Sequence, residues 1–285
     1  AGEATTLSNI GSVYDNIGQR QKAFDYYNQA LPISREVGDR AQEAITLSKI
    51  GWVYRNAKRS TEAIEKLEEA VKITLEIRGD LKRENRQKFL DTQTGAAVAI
   101  VNLLIEQNQP DRAYEWINRV TTAELADYTR LINAKVANPQ AQKVINEWNQ
   151  NHQQLQFIRQ QLQQNFSQAR SRQMRDLEAK VNKQAEEISR SFPEVAELFE
   201  TKPADIEHLR KNIPPETVII HPVLLTGART VTNKIAIFVI TKDKLTVTQK
   251  NINPKQFNQL LTQYRQQLEN RSDPNYLATS QKLYD

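Results

Sequence analysis

The stretch LSNIGSVYDNIGQRQKAFDYYNQA, Leu7–Ala30, returns as LSKIGWVYRNAKRSTEAIEKLEEA, Leu47–Ala70. Ala4, Leu7, Ser8, Ile10, Gly11, Val13, Tyr14, Asn16, Ala23, Ala30 and Ile33 each meet the same residue type at one constant offset of 40 residues. An offset held without gaps marks a repeated supersecondary unit, and such a unit cannot hide its apolar face alone. The rest of the chain is read outward from this unit.

Within the first copy, Leu7, Ile10, Gly11 and Tyr14 recur at three- and four-residue steps, the spacing of one helical face. Gly18 breaks that helix, and a second follows with Ala23, Tyr27, Ala30 and Leu31 inward. Gly11 and Ala23 are small enough for the two helices to approach closely, with Tyr14 and Tyr27 filling the space beside them. Pro32 lacks an amide hydrogen and is expected to bend or interrupt the second helix near Ala30. Gly38 supplies a stop, and Asp39 with Gln42 reads as a capping box opening the next helix. In the second copy Lys58 stands where Gly18 stood, Ser60 is the expected N-cap, and Gly79-Asp80 echoes Gly38-Asp39.

This pattern of large, small and aromatic residues resembles the tetratricopeptide repeat. Leu7, Gly11, Tyr14, Ala23, Tyr27 and Ala30 carry the resemblance in the first unit, and Leu47, Gly51, Tyr54, Ala63, Leu67 and Ala70 in the second. The period is longer than that family's usual length of about 34, as in its subclass with extended second helices. A degenerate third unit follows at an offset of 50, with Ala97, Ile100, Val101, Leu104, Ala113, Ile117 and Val120 on the pattern and Pro110 opening its second helix. The polar Leu81–Thr94 segment reads as the start of its extended first helix. The expected units are residues 1–38, 39–79 and 80–137.

Residues 140–192 contain neither Gly nor Pro, and Trp148, Leu155 and Leu162, like Met174, Val181 and Ile188, sit seven apart. Heptad spacing argues for long helices packed along a narrow seam. A single helix would expose that seam; an antiparallel hairpin over 138–192, turning near Asn165–Ser171, hides it. Beyond Pro193 the expected order is short helices at Val195–Phe199 and Asp205–Leu209, then strands Val218–Leu225, Lys234–Thr241 and Leu245–Gln249. Pro222 limits the first strand to an edge or a bulge. Asn253 and Pro254 then open a helix with Phe257, Leu260, Leu261, Tyr264 and Leu268 on one face, and Tyr276–Asp285 reads as a further helix.

The fold class is therefore mainly α: a superhelix of helical pairs and a long helical hairpin, then a small α+β segment, residues 193–285, with a three-stranded antiparallel sheet. This order resembles the opening of a CHAT domain, the caspase-like domain commonly found after tetratricopeptide repeats in bacteria, especially cyanobacteria. The carrying residues are Arg86–Leu90, Gln109–Ala113, Pro214–Val218, His221–Leu225, Ile237–Thr241 and Pro254–Leu268. That family works through a His and Cys pair, a thiolate attacking a peptide carbonyl. The chain has no cysteine, and His221 lacks the His-Gly context, so the resemblance transfers no catalytic residue. It implies the non-catalytic, regulatory portion of a caspase- or separase-like peptidase whose catalytic pair lies beyond residue 285. The chain is also expected to begin inside a longer protein, since Ala1–Thr5 already belong to the repeat.

Composition narrows the functions further. Absence of cysteine removes disulfides and thiolate metal sites and fits a reducing, cytoplasmic setting. His152, His208 and His221 lie far apart without ligand spacing, so no metal and no cofactor is expected; the first two are expected to face solvent. No apolar run reaches the roughly 18 residues of a membrane span. A net charge of +5 is mild, and Arg170, Arg172 and Arg175 stand beside Asp176 and Glu178, so they read as a solvated face and nucleic acid is not the expected partner. The expected partner is a protein or peptide on the concave side lined by first helices. There the candidate contacts are Ser8, Ser12, Asp15 and Asn16 and their equivalents Ser48, Trp52, Arg55 and Asn56. Trp52 reads either as a recognition anchor or as a wedge against the third unit. Asn16 and Asn56 serve either a ligand's backbone or the turn beside them. A basic clamp for a terminal carboxylate is not evident.

Overall fold

A glycine, a lysine and an asparagine stand at the same corner of three successive helical pairs. Gly18, Lys58 and Asn108 have φ of +79°, +61° and +57°. In each case the residue after the corner closes back on the helix: Gln19 N–H donates to Tyr14 O at 2.8 Å, Arg59 to Tyr54 O at 2.9 Å, and Gln109 to Leu104 O at 2.9 Å. This is the Schellman ending, which satisfies last-turn carbonyls and needs a left-handed residue. Only the first copy gives that position to glycine, so Lys58 holds a conformation that its Cβ disfavours. Lys58→Gly is expected to raise stability by about 0.5–1 kcal/mol, and Gly18→Ala to lower it by a similar amount. No atom lies within 4 Å of a Cβ built on Gly18, so backbone conformation alone is at stake there. Urea denaturation of the two variants would show opposite signs.

The computed structural model describes residues 2–78, 83–131, 138–192, 195, 206–228, 231–269 and 275–284, with side chains of α5 and α6 described from 95 to 120. It contains α1 (Gly2–Asn16), α2 (Arg20–Glu36), α3 (Arg40–Asn56), α4 (Ser60–Arg78), α5 (Arg83–Glu106) and α6 (Pro110–Leu131). There follow α7 (Pro139–Gln164), α8 (Gln168–Ser191), α9 (Ile206–Lys211), β1 (Ile219–Leu225), β2 (Lys234–Ile240), β3 (Leu245–Asn251), α10 (Pro254–Glu269) and α11 (Tyr276–Tyr284). The chain divides into two compact units, Ala1–Leu209 and Arg210–Asp285.

In the first unit the helices pair as α1–α2, α3–α4 and α5–α6. Glycine sets the closeness of the first two pairs. A Cβ on Gly11 would lie 2.6 Å from Cε1 of Tyr27, and one on Gly51 2.7 Å from Cγ of Leu67. Tyr27 and Leu67 are themselves fully buried, at 1% and 0% exposure. Ala23, Tyr27, Ile50 and Val53 form the core between the first pair and α3, flanked by Tyr14, Phe24 and Leu31. Ala44, Leu47, Ala70 and Ile73 continue it into the second pair.

Three local expectations change. Of the bend or interruption expected at Pro32, the interruption does not occur: α2 continues through it, because Tyr27, Ala30 and Ser34 on either side are buried and packing outweighs one lost hydrogen bond. Ser60 is the first residue of α4, so the cap position falls to Arg59, as it does to Gln19 in the first pair. Asp39 does cap α3, its carboxylate accepting from Gln42 N–H at 3.0 Å. The return bond of a capping box is missing, however: Asp39 N–H donates to Ser34 O at 2.9 Å, and the Gln42 side chain turns to Thr5 and Thr46. The signals expected at Gly79-Asp80 and most of Val195–Phe199 lie outside the described residues.

α7 and α8 form the antiparallel hairpin rather than one long helix. Leu155, Ile158, Leu162, Met174 and Val181 make its seam. Trp148 Nε1 donates to Val181 O at 3.1 Å and fixes the register. His152, expected in solvent, is half-buried and stacks on Trp148 at 4.9 Å, because its position brings it one turn beyond that ring on the same side of α7. The hairpin tip rests on the corner between α2 and α3. A Cβ on Gly38 would meet Met174 Sδ at 2.5 Å. Ser171 Oγ donates to Glu36 O at 2.5 Å.

An ion network surrounds that corner. Glu43, whose side chain is 4% exposed, accepts from Arg35 Nε at 2.7 Å and from Arg40 Nη1 at 2.6 Å. Arg40 reaches Glu76 at 2.6 Å and Glu178 of the hairpin at 3.8 Å, and Glu178 also pairs with Arg159 at 2.6 Å. Burial opposes the charge on Arg40, yet Glu43, Glu76 and Glu178 together raise its pKa.

In the second unit β1, β2 and β3 form an antiparallel sheet in that order. Phe238 stands opposite His221 and Val247, and Ala236, Phe238 and Ile240 are fully buried on one face. Among the described residues β1 lies at the edge of the sheet, one of the two settings that Pro222 allows. Asn253 caps α10 by accepting from Lys255 N–H and Gln256 N–H at 3.1 and 3.3 Å. Phe257, Leu260, Leu261 and Tyr264 of α10 are half-buried, whereas Leu268 is exposed.

Candidate functional site

Helices α1 and α3 lie side by side, and three contacts tie them. Thr5 Oγ1 donates to Gln42 Oε1 at 3.2 Å. Lys49 Nζ donates to Ser8 Oγ at 3.0 Å and to Ser8 O at 3.3 Å. The repeat places the expected contacts at equivalent positions of the two helices: Ser12, Asp15 and Asn16 on α1, and Ser48, Trp52, Arg55 and Asn56 on α3.

Their exposure is uneven. Asn16 and Asn56 are exposed at the last position of each helix, while the adjoining turns are closed by backbone donors. Ser12, Asp15, Ser48, Trp52 and Arg55 are half-buried. The Arg55 guanidinium stands 5.6 Å from the centre of the Trp52 ring. Ser12 Oγ donates to Ser8 O at 3.0 Å and accepts from Tyr27 OH at 3.3 Å, which links the face to the core. Burial raises the pKa of Asp15, with Arg20 opposing.

Ser8 departs from the expected open position. It is fully buried, and its oxygens are taken up by Lys49 and Ser12. Its proximity to α3 accounts for this: the helix face that looked free in one hairpin is covered by the next. In its place stands Lys49, which the sequence reading passed over. It is half-buried, and burial pushes its pKa down. The only available signal was its mismatch, Lys49 against Asn9, within an otherwise matching block.

The face is closed in part in the third pair. Val98, Ala99 and Asn102, which correspond to Ser48, Lys49 and Trp52, are 8%, 0% and 1% exposed. There polar side chains pair with one another. Asn102 Nδ2 donates to Glu106 Oε1 at 2.7 Å, while Trp116 Nε1 and Arg112 Nη2 both reach Glu68 Oε1, at 2.6 and 2.8 Å, binding α6 to α4. Ile105 and Glu106, which correspond to Arg55 and Asn56, are half-buried and exposed, so the closure falls on the Ser48, Lys49 and Trp52 positions.

Among the described residues, no group of His, Asp and Glu is arranged to hold a metal ion. His221 is half-buried in β1. Among the described residues no helix is long and apolar enough to cross a membrane. Arg172 and Arg175 are exposed on α8, and Arg175 Nη1 donates to Ser171 Oγ at 2.9 Å.

No curated protein and no solved structure matches the chain. Residues 2–76, which span the first two hairpins and their shared face, match the family model of the tetratricopeptide repeat.

Proposed function

We propose that the first two hairpins are a protein-interaction module, in which an extended peptide or protein segment lies along the concave face formed by α1 and α3. The observation that supports this best is the contrast between units. α3 turns Ser48 and Trp52 to a half-open surface, whereas the equivalent α5 positions Val98 and Asn102 are packed away. Polar and aromatic groups left outside the stacking core are the material of recognition rather than of stability. Trp52 is the anchor in this reading, and Ser12, Asp15, Asn16, Ser48, Arg55 and Asn56 surround it. Ser8 acts from beneath by holding Lys49.

Peptides recovered from a random 12-residue library provide the test. Trp52→Ala is expected to weaken the best of them at least tenfold while moving the melting temperature by no more than a degree or two. The same change at Phe157, which is 59% exposed on α7, should leave binding intact. A large fall in melting temperature with Trp52→Ala would instead make it a core wedge.

The resemblance of Pro214–Val218 and His221–Leu225 to a CHAT domain supports a finer reading, in which the chain is the cytoplasmic, non-catalytic portion of a caspase-like protein. A strand beginning just after Pro214-Pro215 and an antiparallel β1–β3 agree with it. With no cysteine present, the chain is expected to show no inhibitor-sensitive turnover of fluorogenic peptides; such turnover would contradict this assignment. Nucleic acid is not the partner in this reading, and duplex binding with a steep salt slope would count against it.

A further inference from the structure

We infer that the segment bound on α1 and α3 carries an acidic side chain that pairs with Lys49, spaced two residues from an apolar side chain that lies on Trp52. This rests on the peptide-binding reading above and goes further by naming the partner's chemistry.

The argument starts from an unbalanced charge. A half-buried ammonium is costly unless an acid stands beside it. Three other half-buried cations of the first unit have that acid: Arg40 has Glu43 and Glu76, Lys66 has Glu65 and Glu69, and Arg159 has Glu178. Lys49 has neutral oxygens only, the hydroxyl and carbonyl of Ser8. An ammonium carries three donors, and these two bonds leave the third for a ligand.

Stacking does not require the charge. The corresponding position is an exposed Asn9 in α1 and a fully buried Ala99 in α5, so repeats of this design pack with no cation there. Lys49 therefore carries a desolvation cost that the fold does not demand, as expected of a residue kept for binding. The ammonium is also pre-positioned. Ser8 is fully buried and its carbonyl is shared with Ser12 Oγ, so the groups that hold Nζ cannot swing away.

Spacing gives the motif. Lys49 and Trp52 are three residues apart on a helix, which advances about 1.5 Å per residue, so the two side chains lie about one turn apart on the same side. In an extended peptide, side chains two residues apart share a side and are separated by roughly 6.6 Å. An acid and an apolar residue with one residue between them thus reach both groups. The Arg55 guanidinium over Trp52 adds positive charge at the far end and favours the acidic partner over a basic one.

A phage-displayed library of random 12-residue peptides, panned in parallel on the whole chain and on its variants, tests this. The parent is expected to enrich Asp or Glu two positions from an aliphatic or aromatic residue at least fivefold over the unselected library. Lys49→Met should keep the apolar preference and lose the acidic one, with a melting temperature no lower than the parent's. Lys49→Gln, which can still bond Ser8, should do the same. An acidic preference that is absent from the parent, or that survives both substitutions, would overturn the inference and leave the peptide-binding reading standing. Recovery of the same peptides by Trp52→Ala as by the parent, or of no common motif at all, would remove both.

Discussion

Tyr27→Ala is expected to destabilise the first unit by about 3–5 kcal/mol, the range for deleting a large aromatic ring from a packed core. The ring is 1% exposed and fills the hollow that Gly11 leaves, so its loss empties space from which nothing nearby is free to recover. Its hydroxyl also donates to Ser12 Oγ at 3.3 Å, and truncation would loosen the lower edge of the binding face. The second hairpin solves the same problem with Leu67 over Gly51. Tyr27→Leu should therefore cost less than half as much as Tyr27→Ala. Against a typical domain stability of about 5–15 kcal/mol, urea unfolding would resolve the two easily. A cost below about 1 kcal/mol for the alanine variant would show that the glycine–tyrosine contact does not hold the hairpin together.

Glu43→Gln is the second large effect, expected to cost about 2–3 kcal/mol. The change preserves shape and removes charge, so it isolates the ion network at the α2–α3 corner. Arg35 is 47% exposed and returns to water at little cost. Arg40 is 21% exposed and keeps Glu76 and Glu178, which limits the loss. Because Glu43 is nearly sealed from solvent, raising the salt concentration should change this cost only slightly. If the substitution is neutral, or if its effect vanishes in salt, the corner is held by Met174 on Gly38 and by Ser171 on Glu36 instead.

Much of the fold could be read from residues because local and long-range signals agreed. Gly11 and Ala23 predicted close helices, heptads from Trp148 to Ile188 predicted the hairpin, and Pro222 predicted an edge strand or a bulge. The misreadings came where contacts between units override local chemistry. Pro32 weakens a helix, yet buried neighbours keep it intact. Ser60 is a good cap residue, but the left-handed Lys58 sets the corner and moves the helix start onto it. Ser8 looked free on its own helix and is covered by Lys49 of the next.

The site was legible as a face and not as a set of contacts. Register alone puts Ser12 with Trp52 and Asp15 with Arg55, since a constant offset of 40 residues fixes equivalence. Which of these residues remain open depends on the neighbouring hairpin, and a single repeat carries no information about that. The closure of α5 at Val98, Ala99 and Asn102 shows how a degenerate copy can keep the helical plan while losing part of the exposed face.

The three tryptophans allow a direct measurement of where a partner sits. Trp52 lies on the proposed face, Trp116 bonds Glu68 between α4 and α6, and Trp148 bonds Val181 within the hairpin. Their indole N–H resonances can be followed by nuclear magnetic resonance during titration with a selected peptide. The account predicts a saturable shift of the Trp52 resonance with Trp116 and Trp148 unmoved. A saturable shift of Trp148 or Trp116 with Trp52 unchanged would place the partner elsewhere and contradict it.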